Sequence, residues 1–512
     1  MHEKHDRTFQ TTLYVTLIIF ASKAVGFARE IIRANFFGAG VVSDAYVAAY
    51  SLFYIPIMLL TSMITSTMVP LYIDARAGGG LKQANRFASN AINMFALISV
   101  ALSGLMLIFA RPLTHLIYLG YDQARLDMAV HLNGIMMPSM VFVVTSIMLA
   151  SVLNATHHFI AAQLTGFALS FGMIVSTVWF SPRYGIDALA WGVFGAGILQ
   201  MLILFPALRK DFRYRVILRP RDARFRRMLV LGGPALMSMA LTEASHLVDQ
   251  MIGSGLNAGD VSSLDYAFRL ISVITGVIGV PITTVMFSRM SERSSARDKK
   301  GIIAIVKQSI EVLVMVLLPI IAIGGVLSDD IIRAAYTRGA FGEKAMVVTS
   351  GVFLSYLLGV VSFCVSDLLN RAFHSMQKTR LTMWVSLTVM SSNAVISVIL
   401  SRMIGVNGLA LGTVISSFMG TAILLVLLRQ RLGRLGLREV IREIAKIAAG
   451  SAAALAVTLL MRNFMSGRND TLQVVLRLFS AGGAGILVYL AVLKLTRARQ
   501  IDFLKLMIRR KR

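Results

Sequence analysis

The residues that most suggest chemistry lie in an apolar stretch near the start of the chain. Lys23, Arg29, Glu30 and Arg33 interrupt a segment otherwise hydrophobic and long enough to cross a bilayer. Helical spacing puts Lys23 and Glu30 on one face and Arg29 and Arg33 on another. An ionised side chain at mid-bilayer costs roughly 2.5–3.5 kcal/mol, so such a cluster predicts a function. Its net positive charge suits a phosphate or pyrophosphate, which Arg binds bidentately and Lys as a point charge.

Charged residues also interrupt later apolar segments. Asp44 lies near the predicted outer end of the second span, and Asp265 and Arg269 are four residues apart on the eighth. Such side chains can instead pair locally or extend to the interface, but Lys23 lies about a dozen residues, or ~18 Å, from the start of its helix. We therefore favour a functional role for Lys23, Arg29 and Arg269. For Arg33 and Asp44 both interpretations stay open.

A weaker pattern concerns ion coupling. Asp249, Asn393 and Thr413, on three different predicted spans, offer oxygen atoms of the kind that bind Na⁺. Glu243 and His246 are three residues apart and form either a proton-coupled pair or an ordinary polar contact between helices. We expect no bound cofactor and no confidently placed metal, and Na⁺, H⁺ and the membrane potential stay open as energy sources.

The composition defines the elements that must position these residues. The chain has 512 residues, of which 56% are hydrophobic and 15% charged, and its mean hydropathy is +0.73. A soluble protein would carry about 25% charged residues. Apolar segments of ~20 residues recur along the whole length. These features predict an all-α polytopic membrane protein with about 14 transmembrane helices, the first three over 11–37, 44–73 and 86–110.

The net charge of +26 reflects membrane topology. Most of the 51 Lys and Arg residues fall in one alternate set of loops, including 209–227 and the tail 494–512. That asymmetry predicts that both termini are cytoplasmic. It also favours anionic membrane lipids over nucleic acid as partners. The single cysteine, Cys364, excludes an intramolecular disulfide.

An internal repeat divides the chain. "GIDALAWG" at 185–192 matches "GVNGLALG" at 405–412, a spacing of 220, and "LNATHHF" from Leu153 pairs with "LNRAFHS" from Leu369, a spacing of 216. Six spans per repeat keep both copies in one orientation, as in transporters that bind substrate between two lobes. The alternative is a duplicated scaffold without transport. The predicted parts are an N-terminal lobe (1–208), a basic cytoplasmic linker (209–227), a C-terminal lobe (228–428), and spans 13–14 with a basic cytoplasmic tail (429–512).

Motifs of enzymes are missing from the sequence. It contains no P-loop, no HExxH and no cysteine cluster, and no cytoplasmic loop carries the paired acids that would hold a metal-bound sugar nucleotide. We therefore predict a transporter with no catalytic residues.

Several separated motifs resemble one family. "SKAVGFAREIIRANFFGAGVVSDAYVAAY" from Ser22, "LDYAFRL" from Leu264, "YTRGAFG" from Tyr336 and "LNRAFHSMQKTRL" from Leu369 are similar to the MurJ/MviN family, the flippases of the peptidoglycan precursor lipid II. These belong to the multidrug/oligosaccharidyl-lipid/polysaccharide exporter superfamily. The resemblance implies a cavity between two lobes whose arginines bind the pyrophosphate of lipid II. It also implies a groove for the polyprenyl tail on the last two helices, and roles in cell-wall biogenesis and cell shape.

The resemblance also assigns residues. Arg29 and Arg269 match cavity arginines of the family, while Lys23 stands where an Arg is usual and Glu30 where an Asp is usual. The second span, "FYIPIMLLTSMITSTMVP", lacks the Arg and Glu usual there, and Ser397 stands where sodium-binding relatives have an Asp. The predicted substrate-binding set is Lys23, Arg29, Glu30, Asp44 and Arg269, and the predicted coupling-ion set is Asp249, Asn393 and Thr413.

These observations lead to one prediction and its rivals. We predict a flippase in the bacterial cytoplasmic (inner) membrane that moves lipid II from the inner to the outer leaflet by alternating access. One rival is a flippase for another polyprenyl-pyrophosphate-linked glycan, which the missing second-span Arg favours; another is a cation-coupled drug exporter, which the cationic cavity disfavours. The third is a non-transporting scaffold. Expected partners are the lipid-linked glycan, anionic lipids and cell-wall synthesis enzymes.

Overall fold

In the computed structural model, all regular secondary structure of the described residues is helical. The described residues are 2–209, 212–296, 298–433, 436–465 and 471–496. The predicted all-α class is thus confirmed. The predicted basic tail lies outside the described residues from position 497, as do linker positions 210 and 211.

The chain forms two compact units, Met1–Ser262 and Ser263–Arg512. The helices of the first are α1 (His2–Phe37), α2 (Val41–Ile108), α3 (Ala110–Ile117), α4 (Gln123–Met136), α5 (Met140–Ala155), α6 (Phe159–Gln163), α7 (Thr165–Tyr184), α8 (Asp187–Leu202), α9 (Phe205–Leu208) and α10 (Ala223–Ser254). A 3₁₀ turn, Met137–Ser139, joins α4 to α5.

The second unit contains the remaining helices, the first of which begins just before the boundary. They are α11 (Asp260–Ile274), α12 (Val280–Ser295), α13 (Lys299–Val326), α14 (Ser328–Tyr336), α15 (Glu343–Leu357), α16 (Val360–Ser375), α17 (Thr379–Ile404), α18 (Val406–Leu432), α19 (Leu437–Phe464) and α20 (Thr471–Leu495). A π-helical segment, Thr275–Gly279, joins α11 to α12.

Within the described residues, 11 helices are long and apolar enough to cross a membrane, or up to 12 when α15 and α16, bent by 43°, count as one span. The predicted count of 14 is therefore not confirmed. Two predicted spans, 44–73 and 86–110, fall on the 68-residue α2, whose backbone leaves helical geometry at Gly79 and Gly80. At 1.5 Å per residue α2 would be ~100 Å long, about three times the hydrocarbon thickness, so this break separates two crossings.

The core of the first unit is built around α2, which packs against α4, α5 and α10. Helix α10, which the repeat assigns to the C-terminal lobe, therefore packs within the first unit, and the lobe boundaries stay a prediction.

Asp222 caps the start of α10, because its side chain accepts hydrogen bonds from the backbone N–H groups of Arg224 (3.0 Å) and Phe225 (3.1 Å). Such a cap satisfies N–H groups that lack a partner at a helix start.

The repeat is visible in the backbone. Gly185 ends α7 with φ +55° and ψ −136°, and Gly405 ends α17 with φ +63° and ψ −143°. His157 (φ +65°) and Gln377 (φ +59°) likewise take the left-handed conformation, although neither is a glycine. Both pairs are 220 residues apart. The spacing of 216 predicted for the second motif pair was therefore wrong by one helical turn, because the matching letters lie at different turns of equivalent helices.

Candidate functional site

A buried cluster of charges occupies α1. Arg29 donates hydrogen bonds from Nε (3.0 Å) and Nη2 (2.6 Å) to Oε1 of Glu30, and Nε of Arg33 lies 3.3 Å from Oε2 of the same carboxylate. The side chains of Glu30 and Arg33 are 5% and 3% exposed, and that of Arg29 is 12% exposed. One carboxylate thus bridges two guanidinium groups, and the cluster keeps one net positive charge.

The two arginines of this cluster differ in their surroundings. The guanidinium of Arg33 lies 5.5 Å from the ring centroid of Tyr46, a cation–π distance. Arg29 instead directs Nη1 toward Sδ of Met173 on α7, at 3.5 Å. A thioether is a weak acceptor. Arg29 therefore holds a weak contact that a stronger acceptor can replace, whereas Arg33 is enclosed by its neighbours.

A row of tyrosines follows the cluster along α2. Tyr46 stacks on Tyr50 at 5.7 Å between ring centroids, and Tyr50 stacks on Tyr54 at 5.6 Å. The exposed fraction of the residue rises along the row, from 2% for Tyr46 to 36% for Tyr54. The signal in the sequence is three tyrosines at intervals of four, which the sequence analysis did not single out.

Asp44 is completely buried, and backbone hydrogen bonds surround it. Its carboxylate accepts from the backbone N–H of Gly259 (2.7 Å) and of Ser262 (2.8 Å), at the start of α11. A guanidinium nitrogen of Arg125 lies 3.9 Å away. These contacts tie the start of α2 to a loop more than two hundred residues later, so they give Asp44 a structural role. Its role in binding substrate stays a prediction.

Lys23, the remaining predicted cation of α1, has an exposed side chain. It precedes Arg29 by six residues, or ~9 Å along the helix. The structure therefore places it on the same helix as the buried cluster but outside the carboxylate bridge.

The second unit repeats the pairing of an arginine with a carboxylate. Nε of Arg269 donates to Oδ2 of Asp265 at 2.9 Å, one turn away on α11, and the two side chains are 26% and 18% exposed. The π-helical segment Thr275–Gly279 follows shortly after; such segments often occur at functional sites. Arg269 is thus half-buried and already compensated by its own helix.

A similar pair on α16 was not predicted from the sequence, although Arg371 lies within a quoted family motif and Asp367 lies two residues before that motif begins. Nε of Arg371 donates to Oδ2 of Asp367 at 2.9 Å, and the hydroxyl of Thr283 donates to the same oxygen at 2.8 Å. The spacing of four residues on a predicted membrane helix was the available signal.

The predicted coupling-ion residues are divided between the units. Asp249, on α10, is buried in the first unit. In the second unit, Asn393 accepts a hydrogen bond from Ser397 at 3.1 Å, and Thr413 donates to the carbonyl of Leu409 at 3.2 Å. Within the described residues, no group of three or more His, Cys, Asp or Glu side chains is arranged to hold a metal. The sodium site stays a prediction.

Within the second unit, ion pairs join the last two helices to α14. Arg477 of α20 and Arg462 of α19 both approach Asp330 of α14, at 2.9 and 3.7 Å. Nη2 of Arg462 also donates to Asp329 at 3.0 Å. Burial raises the pKa of the Asp330 carboxyl, and the two arginines oppose that shift. Arg477 is therefore a buried partner of α14.

Comparison with known proteins decides the family. The family model described as lipid II flippase MurJ matches residues 33–480, which is most of the chain. The chain belongs to the lipid II flippase MurJ family. It is therefore a membrane transporter rather than an enzyme.

Individual relatives of this family match over four fifths or more of this chain. A probable lipid II flippase MurJ from Rhizobium tropici is 26% identical over 424 residues, covering 80% of this chain and 79% of the relative. One from Thermotoga maritima is 25% identical over 496 residues, covering 97% and 98%. Both belong to the same family as this chain.

Solved structures show the same fold. A lipid II flippase MurJ in an inward closed conformation matches with a TM-score of 0.77 at 23% identity, covering 97% of this chain and all of that one. An inward-facing transporter of the multidrug MATE family matches with a TM-score of 0.70 at 14% identity, over 83% and 98%. The chain thus has the fold of both structures.

Proposed function

We propose that this member of the lipid II flippase family moves lipid II from the inner to the outer leaflet of the bacterial cytoplasmic membrane, with Arg29 as a principal contact of the pyrophosphate. The observation that carries the proposal is the bridge of Arg29, Glu30 and Arg33, buried within the first apolar helix. A net positive cluster at this depth is costly unless an anion uses it.

The geometry suggests how the pyrophosphate is received. Without substrate, Glu30 occupies two N–H groups on one edge of the Arg29 guanidinium. A phosphate offers oxygen acceptors that match the same planar fork. The anion can replace the thioether of Met173 first, and Glu30 then stays with Arg33, 3.3 Å away. In this scheme Glu30 lowers the free-energy cost of burying the two arginines when no substrate is bound. The cluster still keeps one net positive charge, which attracts the pyrophosphate.

The second unit is proposed to act in the same way. Arg269 is held by Asp265 on its own helix, with a quarter of its side chain exposed. A carboxylate partner that stays in place lets the arginine bind an anion and release it again. The pyrophosphate favours whichever conformation brings more cations to it, because a ligand shifts an equilibrium only through differential affinity.

The proposed energy source is the membrane potential acting on the net positive charge of the empty transporter. Each charge that crosses the field gains about 2.3 kcal/mol per 100 mV. Proteoliposomes with a potassium gradient and valinomycin test this: flipping should slow when the potential is collapsed. An unchanged rate without a potential, but a lower one without Na⁺ or without a proton gradient, would assign coupling to that ion instead.

The proposed orientation places both termini in the cytoplasm, following the excess of basic residues in alternate loops. The one cysteine, Cys364, is 3% exposed and should therefore give little background labelling. A cysteine placed at Glu3 should react with an impermeant maleimide after lysis but not in intact spheroplasts. Labelling in intact spheroplasts would reverse the orientation.

The function is tested by replacing the essential lipid II flippase of a bacterium with this gene. Lipid II exposed on the outer leaflet is assayed for the wild type and for Arg29→Ala. Rescue by the wild type alone supports the proposal. Rescue by both would remove Arg29 from the transport step, whereas the scaffold alternative predicts neither rescue nor exposed lipid II. A folded wild type that fails to rescue would point to a different lipid-linked glycan or to cell-wall enzymes as partners.

A further inference from the structure

A basic cavity lies in the first unit, away from the cluster on α1. It has a volume of about 660 Å³ between α2, just after the Gly79–Gly80 break, and the segment 212–219. Its described lining residues include four cations and no carboxylate; the cations are Lys82, Arg86, Arg215 and Arg219. All four side chains are exposed. Cations gathered in this way repel one another, and an anion in the cavity would relieve the repulsion.

The segment 212–219 is held in place by its main chain. The backbone N–H of Arg215 donates to Ser89 at 3.1 Å, and Asn90 both accepts from the N–H of Arg219 (2.7 Å) and donates to its carbonyl (3.1 Å). Asn93 donates to the carbonyl of Ile217 at 3.0 Å. The backbone of alternate residues is therefore fixed to α2, and the arginine side chains are not needed for that attachment.

The intervening residues present apolar side chains. Tyr214, Val216 and Leu218 are 54%, 81% and 57% exposed. Leu81, beside the cavity on α2, is 40% exposed. Cations next to exposed apolar side chains at the start of a membrane-crossing helix are typical of the headgroup layer, where apolar groups reach acyl chains and cations reach phosphates.

We propose that this cavity binds the headgroup of an anionic phospholipid, with the phosphate held by Arg215, Arg219, Arg86 and Lys82 and with Val216 and Leu218 against its acyl chains. The ligand chemistry is a phosphate monoanion attached to hydrocarbon. Charge complementarity selects the anionic headgroup, and the exposed apolar residues select a lipid over free phosphate. The site is independent of the flipping step and of the residues assigned to it.

The test uses the purified full-length protein in detergent, titrated with phosphatidylglycerol and with phosphatidylcholine while bound lipid is counted by native mass spectrometry. The double variant Arg215→Gln with Arg219→Gln should bind phosphatidylglycerol roughly 25-fold more weakly, because each cation near an anionic lipid contributes about a factor of five. The matched control is Arg213→Gln with Arg221→Gln, which removes the same charge from exposed positions of the same linker outside the cavity. The control should retain its affinity.

A third variant tests the apolar half of the site. Val216→Ser keeps every charge and should weaken phosphatidylglycerol binding roughly tenfold, through loss of apolar burial. Its binding of inorganic phosphate should not change. Melting temperatures confirm that each variant is folded. If the cavity pair and the control pair of substitutions lower the affinity for phosphatidylglycerol equally, the lipid is attracted by the overall charge of the linker and not by this cavity. If phosphatidylcholine binds as tightly as phosphatidylglycerol, the cavity does not select for anionic headgroups. Displacement of the lipid by an equal concentration of inorganic phosphate would make this a free-phosphate site.

Discussion

Replacing Arg29 by Lys isolates the contribution of guanidinium geometry to substrate binding. The variant keeps the positive charge beside Glu30, but an ammonium group lacks the planar fork that places two N–H groups on one acceptor at 3.0 and 2.6 Å. A lost charge-assisted hydrogen bond to the pyrophosphate is worth about 1.5–3 kcal/mol, so lipid II should bind roughly 10- to 150-fold more weakly. Titration of the purified variant with lipid II measures this change.

Arg33→Lys provides the matched control. It is the same substitution one turn further along α1, but Arg33 is 3% exposed and is enclosed by Glu30 and the ring of Tyr46. The loss of the cation–π contact should lower the melting temperature and leave lipid II affinity unchanged in the folded protein. Wild-type affinity for Arg29→Lys, or an equal loss for Arg33→Lys, would refute the assignment of the pyrophosphate to Arg29.

Three further predictions concern stability and are read from thermal unfolding. Asp44→Asn should lower the free energy of unfolding by about 2–3 kcal/mol, because an amide NH₂ would then face one of the two backbone N–H groups that now donate to the carboxylate. A variant of full stability that no longer flips lipid II would instead support a role of Asp44 in substrate binding. Asp330→Asn should lower the free energy of unfolding by roughly 3 kcal/mol, since it removes the negative charge between the buried Arg477 and the half-buried Arg462. An unchanged free energy of unfolding would show that α20 is held by apolar packing alone. Gly185→Ala should lower the free energy of unfolding by about 1–3 kcal/mol, because φ +55° with ψ −136° suits only glycine. The control Gly195→Ala, at a helical position with open space around it, should leave stability unchanged or raise it. An equal loss of stability in both variants would contradict this explanation.

Local patterns in the sequence were enough to predict the all-α membrane class, the internal repeat and the family. Membrane helices depend on hydropathy over ~20 residues, which is a property of each segment by itself. The repeat depends on two glycines, Gly185 and Gly405, whose backbone conformation other residues rarely adopt. The motif resemblance predicted the family, which the match over residues 33–480 confirmed. None of these inferences needs knowledge of distant contacts.

The partner of each charge was decided by tertiary structure. Helical spacing placed Glu30 on the face of Lys23, away from the arginines, whereas the side-chain geometry joins it to Arg29 and Arg33. Asp44 meets backbone N–H groups more than two hundred residues away, which no local pattern reveals. The physical reason is that an ion pair or hydrogen bond needs two groups within about 3–4 Å. Sequence fixes which groups exist on each helix, whereas packing of the helices sets which of them come within that distance.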